Sequence, residues 1–162
     1  MINDRGNPGA LCVPAAVPPP LGGPEFARLL TAVRRGRVLT LTAPRREPAG
    51  RVARVLAQRL GSNFFDGTAV VSMDRPHGPA DVAAALGALE GMPFLPCGTA
   101  DATSWLAERD MLLVLVGAEQ LAPAARTWLR RLLAAAPGVR ILATGRSPLR
   151  LPEERVHRLQ GN

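Results

Sequence analysis

Three short stretches hold the residues whose types and spacing could do chemistry. Ala43-Pro44-Arg45-Arg46-Glu47-Pro48-Ala49-Gly50 follows the strand-like run Val38–Thr42 and leads into a helical pattern. In an α/β chain that is where a G-x-x-x-x-G-K-[ST] loop would wrap phosphates in backbone N–H groups. Such a loop needs glycines for close approach, a lysine for the β- and γ-phosphates and a hydroxyl for Mg²⁺. Here the lysine and the hydroxyl are absent, and prolines and arginines crowd the loop; the whole chain has no lysine, all 20 basic residues being Arg. Glu119 follows the apolar run Met111–Val116. An acid there can orient water at a metal, but without metal ligands beside it Glu119 reads as a solvated helix-cap carboxylate. Arg146 follows the run Val139–Thr144. His77 and His157 read as a loop and an edge-strand histidine, neither of them catalytic. Cys12 and Cys97 stand far apart, with no CxxC and no histidine at ligand spacing, which argues against a disulfide framework or a zinc site.

The elements that position these stretches alternate. Residues 1–23 carry five prolines and several glycines and read as a flexible arm, leaving residues 24–162 as one folded domain. Phe26, Leu29, Leu30 and Val33 recur at helical spacing up to Gly36. Val38–Thr42 is a first strand, and the helix after it buries Val52, Val55, Leu56 and Leu60 and ends at Gly61. Thr68–Met73 is a second strand, followed by a helix opened by Pro79. Residues 90–99 are loop-like, and Asp101 caps a short helix carrying Trp105 and Leu106. Met111–Val116 is apolar on both faces, the mark of a central parallel strand. Pro123 opens a helix through Trp128, Leu129, Leu132 and Leu133; Val139–Thr144 is a fourth strand and Val156–Leu159 a short fifth. This alternation implies a three-layer α/β domain whose mainly parallel sheet has four or five strands, with Leu39, Leu41, Leu113, Leu115, Ile141 and Leu142 buried. Ligands of such sheets sit at the carboxyl ends of the strands, where all three stretches fall.

The strings LTLTAPRREPAGRVARVLAQRLG and MLLVLVGAEQLAPAARTWLRRLLAAAPGVRILATGRSPLRLPEERVHRL, with the lead-in PPPLGGPEF, resemble the NB-ARC core of large ATP-binding bacterial transcriptional regulators. Those regulators are P-loop NTPases of the STAND class. The resemblance covers about residues 18–160 and is most specific in the second half. It implies a P-loop NTPase-like fold, with the strand at 38–42 between those at 111–116 and 139–143. Ala49 then stands for the family's phosphate-loop lysine and Gly50 for its threonine. Val116 stands for the Mg²⁺-organising aspartate, and Pro24 replaces an adenine-side arginine between the matching Gly23 and Glu25. Arg146 matches the sensor arginine that reaches the terminal phosphate in active relatives, against the alternative of an ordinary surface arginine.

The resemblance with these losses implies a non-hydrolysing module for regulation or protein interaction, linked to transcription or signalling, and not an enzyme. Pro44, Arg45, Arg46, Gly50, Glu119 and Arg146 would be its remnant phosphate-binding residues. No cofactor is required, although ATP or ADP would be the ligands such a remnant admits. The expected partner is a protein or a parent regulator. Two alternatives are an ATPase in which arginine replaces the lysine, and a basic nucleic-acid-binding accessory protein. The formal charge of +7 suits non-specific contact with nucleic acid, but aromatics are only 4% of residues, so stacking platforms are scarce. The solvated helix faces bearing Arg51, Arg54 and Arg59, and Arg126, Arg130 and Arg131, add no specific reader of bases. No apolar run is long enough for a membrane span, and the amino terminus lacks a signal-peptide core, so the expected compartment is the cytoplasm.

Overall fold

In a computed structural model, which describes residues 23–90 and 99–159, the apolar runs of the sequence become strands and the amphipathic ones helices. The Pro-rich arm, Cys12, Cys97 and most of the 90–99 segment lie outside the described residues. The order is α1 (Gly23–Arg35), β1 (Val38–Thr42), α2 (Arg46–Leu60), β2 (Thr68–Ser72), α3 (Pro79–Glu90), α4 (Thr99–Ala107), β3 (Met111–Val116), α5 (Pro123–Ala135), β4 (Val139–Gly145) and β5 (Glu154–Arg158). All strand pairings are parallel, and the sheet runs β2-β3-β4-β1-β5.

That order corrects one expectation. β1 does neighbour β4, with Val38 opposite Ile141, but its other neighbour is β5, and β3 lies beyond β4. The physical reason is burial. β3 is buried at all six positions and pairs on both sides, with β2 and with β4, so β4 and not β1 fills its second edge. All five residues of β1 are buried as well, which calls for a strand on its far side. The more polar Glu-Arg-Val-His-Arg strand supplies that cover and takes the sheet edge, where exposed side chains are tolerated. Smaller differences are at boundaries: α4 already runs from Thr99, placing Asp101 inside its first turn, and Gly61 continues into a 3₁₀ turn in right-handed conformation instead of a left-handed cap.

Two apolar clusters sandwich the sheet. Leu39, Leu41 and Leu142 on one face pack with Phe26, Leu29 and Val33 of α1 and Val52 and Leu56 of α2. Leu113, Leu115 and Ile141 on the other face meet residues of α3, α4 and α5, including Val82, Leu86, Leu106 and Leu129. All six residues expected in the core are at most 3% exposed.

Three local devices fix the connections. A Cβ on Gly138 would sit 2.4 Å from the Arg109 carbonyl oxygen, so only glycine lets the α5–β4 turn pass the chain entering β3. Arg37 donates from Nη2 to the carbonyls of Leu133, Ala136 and Val139 at 3.0, 3.0 and 3.1 Å, tying the last turn of α5 to the start of β4. The Glu154 carboxylate accepts from Thr40 Oγ1 and the Leu149 amide at 2.6 and 2.7 Å, and from the Arg150 amide at 2.8 Å. It thereby closes the β4–β5 connection, in which Arg150 and Glu153 adopt φ of 62° and 60°.

Candidate remnant phosphate site

The site is built where parallel strands end. β1 stops at Thr42 and α2 begins at Arg46, so only Ala43, Pro44 and Arg45 form the connection. The helix therefore starts four residues ahead of Gly50, and the stretch that would have to wrap phosphates is its first turn. Of the amides in that turn Pro48 contributes none, which thins the donors an anion would meet. Arg45, in extended conformation, makes no side-chain cap on the helix.

Behind that turn the space is filled. Ala49 is 2% exposed, and a Cβ on Gly50 would lie 3.3 Å from Val116 Cγ1, so α2 rests directly on the end of β3. A hydrated Mg²⁺ and its acid would have to occupy that contact, where the chain has two apolar surfaces. The same Cβ would lie 3.3 Å from Arg54 Nη1, and Arg54 Nη2 donates to Ser72 Oγ at 2.7 Å. Arg54, expected to be only a solvated side chain, thus ties α2 to the end of β2.

On the β4 side, Gly117 turns the chain in the left-handed region at φ 84° and donates its amide to Thr144 Oγ1 at 3.1 Å. That turn puts Glu119 over β4: a Cβ on Gly145 would lie 3.2 Å from Glu119 Oε1. Ala43, Arg45, Ala49, Glu119, Thr144, Gly145 and Arg146 surround a cavity of about 10 Å³, which holds one water molecule at most. Ligand pockets typically measure roughly 300–1,000 Å³.

The structure thus brings together Arg45, Glu119 and Arg146 around one small cavity, with Gly50 buried beside it and Pro44 exposed at the loop. Arg46 begins α2, and its side chain lies outside the described residues. Sequence reasoning missed Thr144, whose hydroxyl near the carboxyl end of the strand was the available signal. On the expected adenine side, Glu25 Oε2 lies 2.7 Å from His157 Nε2, joining α1 to β5. His77 is buried, with Nδ1 2.8 Å from the Arg75 carbonyl, and has a packing role. The residues present do not fit a Mg²⁺–nucleotide complex, and among the described residues no group of three or more His, Cys, Asp or Glu could hold a metal ion.

No family model and no curated protein matches the chain. Solved structures do. The chain is similar to Cdc6p from Pyrobaculum aerophilum, with TM-score 0.64, 20% identity and coverage of 83% of this chain and 41% of that one. It is similar to Drosophila ORC in a structure bound to AT-rich DNA and Cdc6, with TM-score 0.59, 12% identity and coverage of 83% and 52%. A third likeness, to the Aeropyrum pernix ORC2 protein in ADPNP–ADP complexes, has TM-score 0.57, 13% identity and coverage of 80% and 42%. The chain thus spans about half or less of each. No helix among the described residues is long and apolar enough to cross a membrane. At these identities the likeness speaks for architecture alone: an α/β fold whose parallel five-stranded sheet runs 2-3-4-1-5.

Proposed function

We propose that the chain is a non-hydrolysing, NB-ARC-like module of STAND type, working in the cytoplasm through a protein partner or a parent regulator in transcriptional control or signalling. The observation that carries this reading is the packing of Gly50 on Val116. Two positions that would hold the metal between a hydroxyl and a carboxylate are instead closed on each other. The absence of lysine from the whole chain and the cavity of about 10 Å³ support the same reading.

Purified protein is expected to release no phosphate from ATP or GTP above a buffer blank, with or without Mg²⁺. Turnover that disappears on substituting Arg45 or Arg46 would establish the arginine-for-lysine ATPase and sink the proposal.

The surviving arginines support a smaller activity. Arg45 and Arg146, on adjoining strand ends beside the N-terminus of α2, present positive charge to which a phosphate or an acidic side chain can pair. Calorimetric titration with ATP, ADP and pyrophosphate should give weak, Mg²⁺-independent binding without preference for the base, weakened several-fold by Arg146→Ala and by high salt. Tight, Mg²⁺-dependent ATP binding would reveal a live nucleotide site.

A further inference from the structure

A second basic locus lies away from the carboxyl edge. Between the outer face of α1 and the edge strand β5 runs a groove of about 360 Å³, lined by Ala27, Arg28, Thr31, Ala32, Arg35 and Arg155. Arg155 stands opposite Leu39 near the start of β1, and Arg35 ends α1, so the groove belongs to the amino-terminal half of the sheet. Arg28, Arg35 and Arg155 are exposed. Among the described residues none of the three pairs with a carboxylate, whereas Arg37, Arg109 and His157 do.

Arg155 is the lining residue from β5, which is the edge strand of the sheet. Leu159 donates its amide to the Thr42 carbonyl at 2.8 Å, so alternate residues of β5 bond inward to β1. The N–H and C=O groups of Val156 and Arg158 consequently face outward at the end of the sheet. Val156 is 47% exposed there, one of the few large apolar residues left to solvent. A helix beside an open strand edge is the geometry in which a peptide adds as a further strand, its backbone pairing with the edge and its side chains read by the groove.

We propose that this groove binds an acidic peptide segment of a partner protein in extended conformation, added as a sixth strand beside β5, with its carboxylates on Arg28, Arg35 and Arg155. Charge complementarity selects the occupant. A second copy of the chain would bring Arg155 and Arg158 against their own counterparts, a like-charge pairing that edges use to repel each other. A nucleic acid would match the charge, but it would leave the strand edge unpaired and find no aromatic in the groove to stack on. The inference rests on the protein-interaction half of the function proposed above; the nucleotide half is tested separately by turnover and stands or falls without it.

The probe is a fluorescein-labelled octapeptide of alternating Glu and Val, titrated into the full chain at low salt by anisotropy and by amide NMR. Three comparison ligands are its Gln-for-Glu version, a version N-methylated at alternate residues, and an eight-thymidine single strand. We expect amide shifts at Val156, Arg158 and α1. Affinity should fall at least tenfold for the Gln peptide, for the N-methylated peptide, and for the Arg28→Glu, Arg155→Glu double variant. Because N-methylation leaves protein and peptide charge intact, that comparison on the wild type does not depend on the variant folding. Equal binding of the N-methylated peptide, shifts confined to the Arg45–Arg146 edge, tighter binding of the oligonucleotide, or no binding of the acidic peptide would each overturn the proposal.

Discussion

Leu113→Ala should lower the free energy of unfolding by roughly 2–5 kcal/mol, the range for large-to-small changes in close-packed cores. Leu113 has no exposed surface and sits in the middle of β3, between Ala69 of β2 and Ile141 of β4. Both flanking strands are fixed by backbone pairing, so the surroundings have little freedom to collapse into the vacated volume. The loss should therefore include a cavity cost as well as lost burial. Urea denaturation would show a lower midpoint with an unchanged slope, the sign of altered stability in a protein whose unfolded state is unaffected. A neutral result would mean that β3 is not an interior strand of the sheet.

Glu154→Ala should cost roughly 2–3 kcal/mol, because it removes one carboxylate that accepts three hydrogen bonds. Thr40 is wholly buried, so its hydroxyl would lose its protein acceptor. The Leu149 and Arg150 amides would be released together, in a segment where two non-glycine residues already hold positive φ. Glu154→Gln should recover only part of the loss, since its NH₂ group would face a donor at one of the three contacts. Hydrogen exchange gives a local readout: the Leu149 and Arg150 amides should exchange much faster in the alanine variant, while amides in the middle of β3 keep most of their protection. Unchanged exchange at both amides would show that packing of Leu149 and Leu151 suffices to hold the connection.

Most of the architecture was legible because the strands differ in kind. Met111–Val116 could only be a central strand, apolar on both faces, and the helices carried their apolar residues at helical spacing with Pro79 and Pro123 at their openings. One neighbour of β1 was misjudged because a resemblance supplied the order, whereas the deciding property, the need of two fully buried strands for partners on both edges, is a tertiary one; the other, β4, was expected. Within the site, the missing lysine and acid could be read off directly. The closure of Gly50 on Val116 could not, since it depends on where α2 begins. Arg54, Arg37 and Glu154 look like surface charges in the sequence, and only the folded chain shows each spanning elements far apart along it. Thr144 was the one such residue with a visible signal.

The position of β1 carries a consequence for how the chain acquires its structure. Its two neighbours, β4 and β5, lie roughly a hundred residues further along, so pairing β1 means closing very large loops, the kind of topology that slows folding. During synthesis at about 5–20 residues per second, β1 must wait several seconds before Arg158 has been made and both its edges can be covered. Throughout that interval Val-Leu-Thr-Leu-Thr is a β-prone, uncharged segment without a partner, flanked by Arg34, Arg35 and Arg37 on one side and Arg45 and Arg46 on the other. Those arginines then act as gatekeepers, their mutual repulsion keeping one nascent chain from pairing with the next before its own last strand arrives.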